Sequence, residues 1–148
     1  MLLKLHSLGH WCYNHHLTII ALIIQRMIFV LYSAVIPSET EIGEGTILAH
    51  GGLGNVFHPK SMIGKRVLIA HGVTIGGKSD KSGGVPVIGD DVYIGAGAKI
   101  LGDITIGNNS LIGANAVVIK SVPAGSLVVG VPAKIIKEGI SARDYETW

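Results

Sequence analysis

The chain has 148 residues, a net charge of +2 and only 15% charged side chains, against about 25% in ordinary soluble domains. Hydrophobic residues make up 48% and aromatics 5%, which excludes a disordered polymer and requires an aliphatic core. The balanced charge gives no electrostatic reason to expect nucleic acid, and the single cysteine, Cys12, excludes an internal disulfide framework and a cysteine-built zinc site.

Residues 1–34 concentrate bulky aliphatics, half of the aromatic side chains and four of the seven histidines. Residues 1–34 read as a short N-terminal apolar helical segment, its run over 17–24, Gln25 and Arg26, and 27–35 the clearest part. An unbroken apolar run of about 18 residues would argue a membrane span, but Gln25 and Arg26 interrupt it and an arginine in lipid is costly. No small-residue cleavage site marks a secretory leader. The segment therefore reads first as a core or assembly helix of a cytoplasmic protein. The second reading is a helix lying peripherally on the inner face of a membrane.

From residue 35 to 136 the text changes to short aliphatic words separated by Gly, Asn and Asp, followed by a tail at 137–148. Aliphatics stand six apart at Ile36, Ile42 and Leu48, at Ile63, Ile69 and Ile75, and from Ile88 through Ile94, Ile100, Ile106 and Ile112 to Val118. A period of six fits neither an amphipathic helix nor simple alternation. Three hexads make one triangular turn of chain with an inward aliphatic on each side. The second inward position, four residues on, holds Thr46, Val67, Val73, Val92, Ala98, Ser110, Ala116 and Val122.

Corners are the sharper test, because a turning chain favours φ > 0, which Gly, Asn and Asp adopt most cheaply. Three places after each aliphatic stand Gly45, Gly51, Arg66, Gly72, Lys78, Asp91, Gly97, Asp103, Asn109, Asn115 and Ser121. The pattern predicts an all-β fold, a parallel β-helix in which each turn adds about 4.8 Å of height. Two irregularities break the beat. Leu48 and Ile63 are fifteen residues apart, three more than two hexads. Ile75 and Ile88 are thirteen apart, which reads as two hexads plus one residue. The second stretch, loop 76–87, is polar and reads as an arm over a site or a neighbouring subunit.

Chemistry gathers between these irregularities. His50 and His71 each follow an inward aliphatic by two places and lie 21 residues apart, one coil plus the three-residue insertion. Both should point outward and stack about one strand spacing apart. His58 falls in the irregular stretch between them. This clustering nominates His50 as a general base, with His71 as a catalytic partner. Zinc held by the trio is the weaker reading, since no carboxylate or cysteine completes a tetrahedral set.

Residues 42–134 resemble the hexapeptide-repeat acyltransferases, and within them the serine acetyltransferase branch. The matching stretches are Ala49-His50-Gly51, Val73-Thr74-Ile75-Gly76-Gly77, Lys81-Ser82-Gly83-Gly84, Ile94-Gly95-Ala96-Gly97-Ala98-Lys99-Ile100-Leu101-Gly102 and Gly130-Val131-Pro132-Ala133-Lys134. The resemblance implies a left-handed coil, a homotrimer and acetyl-CoA as donor. It places His50 at the family's catalytic histidine and Gly76, Gly77, Ala96 and Ala114 along the pantetheine channel. Lys120 and Lys134 are candidates for the CoA phosphates by charge and by their position near the tapering end. Lys99 reads equally well as a solvated lysine.

Departures bear on the acceptor. Val35 stands where the family carries the aspartate that orients the histidine, and Gly84 and Val85 stand where it carries an arginine and a histidine. Another partner for the second ring nitrogen is then needed, for which Glu39, Glu44 and a backbone carbonyl are candidates. The short apolar start and the His-Gly-Gly-Leu-Gly motif resemble saccharide O-acetyltransferases of capsule, exopolysaccharide or O-antigen pathways. The expected function is acetyl transfer from acetyl-CoA to a saccharide hydroxyl, with amides near Gly76-Gly77 stabilising the oxyanion. Serine O-acetylation in cysteine biosynthesis is the alternative within the family, and a non-catalytic trimeric scaffold the alternative outside it. An imidazole base must be neutral to act, so activity should fall on acidification.

Overall fold

A computed structural model describes residues 1–77 and 83–145. The chain begins with two helices, α1 (Leu2–Asn14) and α2 (Thr18–Tyr32), packed as a hairpin. The sequence reads residues 1–34 as one helical segment; the structure divides it into two helices, with the break at residues 15–17. Leu2, His6, Gly9 and Cys12 form the buried stripe of α1, at the three- and four-residue spacing of one helix face. Gly9 is where the two helices and the following chain come closest. A Cβ there would stand 2.8 Å from Ser38 Oγ and 3.2 Å from Ile24 Cγ2.

The hairpin is latched to the segment that enters the coil. His6 Nε2 donates to the Pro37 carbonyl at 3.0 Å and His10 Nδ1 to the Ser38 carbonyl at 2.8 Å, the carbonyls requiring N–H on those nitrogens. Ser38 Oγ donates in turn to the Ala21 carbonyl at 3.2 Å. Burial pushes the His6 pKa down, opposed by its bond to Pro37 and reinforced by His10.

Among the described residues fourteen short strands follow: β1 Glu41–Ile42, β2 Ile47–Leu48, β3 Val56–Phe57, β4 Met62–Ile63, β5 Leu68–Ile69, β6 Thr74–Gly76 and β7 Val87–Ile88. The rest are β8 Tyr93–Ile94, β9 Lys99–Leu101, β10 Thr105–Ile106, β11 Leu111–Ile112, β12 Val117–Val118, β13 Leu127–Val129 and β14 Lys134–Lys137. They stack into three sheets, β1-β4-β7-β10, β2-β5-β8-β11-β13-β14 and β3-β6-β9-β12. Among the described residues all strand pairings are parallel except β13 with β14, which folds back to close the far end. This is the parallel β-helix that the hexads predict.

The inward ladder is the one read from the period. Ile36, Ile63, Ile69, Ile75, Ile88, Ile94, Ile100, Ile106, Ile112 and Val118 are buried, and so are Thr46, Val67, Val73, Val92, Ala98, Ser110, Ala116 and Val122. Ile42 and Leu48, in the first coil, are half-buried. Each fully buried isoleucine contributes about 1.5–3 kcal/mol. The polar members are satisfied across coils, as where Thr46 Oγ1 donates to the Gly64 carbonyl at 2.9 Å. Val35 bridges to Val56, so the helical hairpin sits at the first-coil end, where an open coil needs a cap.

Most predicted corners have positive φ: Gly45, Gly51, Arg66, Gly72, Asp91, Gly97, Asn109 and Asn115. Asp103 and Ser121 do not, Gly102 turning instead of Asp103, and Lys78 lies outside the described residues. Arg66 is the costly residue of the set, and an ion pair with Asp91 one coil on holds it at 2.6 Å. Arg143, from the tail, pairs with the same carboxylate. Together these guanidinium groups hold the Asp91 carboxyl well below the usual carboxylate range, Arg66 acting most strongly and burial opposing.

The register corrects the second irregularity. Regular coils repeat every 18 residues, as Ile88 to Ile106, whereas Ile63 pairs with Ile88 and Ile75 with Ile100, both 25 residues on. The interval from Ile75 to Ile88 is therefore one side of the triangle with a seven-residue excursion, not two sides plus one residue. Counting sixes cannot separate the two, because one side plus seven equals two sides plus one. Most of that excursion, including the Lys81-Ser82 part of the family motif, lies outside the described residues. The first irregularity matches its reading: Leu48 pairs with Ile69, 21 residues on.

Candidate active site

The three extra residues after β2 shape the histidine corner. With a neighbour they form a four-residue turn at Ala49–Gly52 in which His50 adopts φ 52°, ψ 33° and Gly51 φ 69°, ψ 15°. In the coils that follow, the corner ladder is regular: Gly97 N–H donates to the His71 carbonyl at 2.9 Å and Asn115 N–H to that of Ala96 at 2.8 Å. At the first coil Gly72 N–H donates instead to the Leu53 carbonyl at 2.8 Å. The insertion thus takes over His50's ladder position and turns His50 outward. A left-handed non-glycine residue costs about 1–2 kcal/mol, and such strain gathers at functional sites.

His50 and His71 meet there. Their ring centroids are 5.1 Å apart with planes 82° to each other, an edge-to-face pair, and both residues are exposed. The contact orients each imidazole plane against the other. Because Ile69, Ile94 and Ile112 are in register, Ala96 and Ala114 continue the column on the next two coils. Two imidazoles above two methyl groups make a wall with a reactive top and a smooth face.

Lys99 is the neighbour that sequence reading left undecided. Its Nζ donates to the Gly72 carbonyl at 2.6 Å, so it braces the corner beside His71 rather than standing free in water. The signal was its register: Lys99 pairs with Thr74, the third residue after His71. His58 does not join the pair. It sits at the corner after β3, where Lys60 N–H donates to its Nδ1 at 3.1 Å and Ser61 Oγ donates to its carbonyl at 2.7 Å. Among the described residues no group of three or more His, Cys, Asp or Glu side chains could hold a metal ion.

The other candidates lie elsewhere. Gly76 ends β6 and Gly77 follows it, at the far end of the side that starts at His71, about 16 Å of extended chain away. Amides there cannot reach an oxyanion at His50 of the same chain. Lys120 and Lys134 are exposed. Glu39 lines a small cleft beside α2 with Tyr13 and Gln25, and Glu44 stands at the corner before β2, a full side from His50. A separate groove of about 540 Å³, with His10, Trp11, His15, Lys65 and Asp90 among its walls, lies between α1 and the corner after β1.

Residues 86–120 match the family model described as bacterial transferase hexapeptide (six repeats). Over 132 residues the chain is 37% identical to the serine acetyltransferase of Synechococcus elongatus, covering 88% of this chain and 54% of that protein. It is 42% identical over 133 residues to that of Mycobacterium tuberculosis, covering 88% and 57%. The structure of serine acetyltransferase from Brucella abortus in complex with coenzyme A superimposes with a TM-score of 0.89 at 37% identity, covering 94% of this chain and 56% of that one. The chain spans about half the length of the curated relatives it matches.

Proposed function

Taking the chain as what its repeats and relatives make it, a hexapeptide-repeat protein of the serine acetyltransferase-like branch, we propose that it is an acetyl-CoA-dependent O-acetyltransferase. The observation that carries this reading is the edge-to-face pair of His50 and His71 at the strained corner. His50 takes the proton of an acceptor hydroxyl held within about 2.6–3.2 Å of a ring nitrogen. The freed oxygen attacks the thioester carbonyl, the C–S bond breaks, and the thiolate leaves as CoA with the proton returned from the imidazolium. His71 keeps the His50 ring in plane, and Ala96 and Ala114 leave room for the pantetheine arm.

Within one chain the oxyanion donors proposed at Gly76-Gly77 and the base at His50 are too far apart to serve one acetyl group. The reading therefore requires a neighbouring copy, and we propose a homotrimer in which one subunit's His50 faces another's Gly76-Gly77 turn. Lys120 and Lys134 remain candidates for the CoA phosphates. A stable monomer in sedimentation would remove the shared site.

The relatives favour L-serine as acceptor over the saccharide that the short apolar start suggested, since those compared are named serine acetyltransferases. The saccharide remains the second reading, supported by Val35, Gly84 and Val85 at positions where the family carries charged or polar groups. A site for serine must bind an ammonium and a carboxylate together. The test measures CoA release with L-serine and with a panel of sugars and nucleotide sugars. Turnover with serine alone supports the first reading, turnover with sugars alone the second, and absence of acetyl-CoA binding by calorimetry leaves only a scaffold.

A further inference from the structure

The exposed side of α2 is apolar almost throughout. Ala21, Ile24 and Ile28 are its buried stripe, while Ile19 is 73% exposed, Leu22 57%, Ile23 54%, Val30 76% and Leu31 61%. With Ile20, Met27 and Phe29, also exposed, these residues span roughly 200° of the helix circumference at 100° per residue. Residues 19–31 of this face line an open groove of about 530 Å³, whose one charged member is Arg26. Isolated apolar side chains on a surface are ordinary, but a contiguous face of this extent marks an interaction site. Among the described residues no helix is long and apolar enough to cross a membrane.

Charge selects the occupant. Residues 1–38 contain no aspartate or glutamate, while Lys4 and Arg26 are cationic and His15 and His16 are exposed. The first acid, Glu39, borders the face at one edge, sharing a small cleft with Tyr13, Leu22 and Gln25. A symmetric contact with a second copy centred on this face would set Arg26 against its own image, with no carboxylate in the hairpin to neutralise either. A phospholipid surface supplies what the face lacks: acyl chains around the aliphatic arc and a phosphate for Arg26, whose stem can run along the apolar surface to its charged head. Tyr13, exposed and beside Leu22 at the edge of the face, is of the type that settles at the headgroup level.

We propose that α2 lies in the plane of an anionic phospholipid bilayer, its Ile19, Leu22, Ile23, Met27 and Val30 face inserted and Arg26 on a lipid phosphate. The β-helix is then held at the surface rather than in bulk solution. This inference does not rest on the acetyl-transfer reading.

The test is flotation of the full chain with vesicles of phosphatidylcholine containing about a third phosphatidylglycerol, and with phosphatidylcholine alone. The chain should float with the anionic vesicles. Replacing Ile19, Ile23 and Val30 together by Ser should weaken that binding at least ~10-fold with an unchanged circular dichroism spectrum, these side chains being exposed. Arg26→Glu, a single surface change, should weaken binding to anionic vesicles and leave the weak binding to neutral ones as it was. No flotation of the wild-type chain would overturn the proposal, as would a triple variant that floats equally well. A triple variant that loses self-association in sedimentation while the wild type ignores vesicles would give the face to a second copy and overturn it too.

Discussion

His50 links stability and activity in one residue, and the two can be separated by substitution. Its backbone sits at φ 52°, a conformation that costs a residue with a Cβ about 1–2 kcal/mol and glycine almost nothing. His50→Ala and His50→Gly both remove the imidazole and its contact with His71, so they differ chiefly in backbone. Against the relief in the folded state, glycine loses about 0.4–1 kcal/mol through the freedom it adds to the unfolded chain. The Gly variant should therefore be the more stable by about 0.5–1 kcal/mol, a difference of about 1–4 °C in Tm for a chain of this size. Both variants should lose at least ~10²-fold in turnover with acetyl-CoA binding retained. Paired thermal melts at equal protein concentration and a CoA-release assay read the two effects. An alanine variant as stable as the glycine variant would refute the strain argument, and near-normal turnover in either would remove His50 as the base.

Ile100 is fully buried in the coil, and Ile100→Ala should cost about 2–5 kcal/mol in denaturant unfolding; a loss below 1 kcal/mol would mean that the coil collapses around the gap. His6 has a folded pKa below its ordinary 6.5, so the unfolded chain binds more protons as the solution is acidified. The stability it gives is complete above about 6.5 and is lost as pH falls from there through the folded value. His6→Gln, which can still donate to Pro37, should flatten the fall in Tm over that window, and an unchanged slope would contradict the burial argument. Asp91 has the opposite charge but the same sign of linkage: its depressed pKa gives stability above its ordinary 3.8 that disappears as pH falls below it. Asp91→Asn should release the tail held by Arg143, read as faster hydrogen exchange at residues 142–145. Lys99→Met should loosen the His71 corner and lower turnover less than either His50 variant does; an equal loss would make Lys99 part of the chemistry.

The coil and its corners were legible residue by residue because a β-helix is close to one-dimensional. Each hexad touches only the coils above and below, so inward Ile94 and outward Asn115 follow from local spacing alone. The pairing of His50 with His71 was legible for the same reason, since an insertion of three keeps the column in step. His58 was read into the same cluster because sequence distance looks the same along a side as around a corner. The excursion after Ile75 was miscounted for a related reason: modular arithmetic fixes register only up to a whole side of the triangle.

By itself the sequence determined the period, the inward aliphatics, the turning residues and the two histidines beside the first insertion, all properties of neighbours in the chain or of one coil on the next. Tertiary structure alone decided that the helical segment is a hairpin of two helices, and that His6 and His10 tie the first of them to Pro37 and Ser38. It also decided that Lys99 braces Gly72, that Gly76-Gly77 lies a full side from the base, and that α2 turns most of its aliphatic surface outward. These depend on packing between segments that share no repeat, where spacing carries no information and only the volumes and hydrogen-bonding groups brought together in space choose the partner.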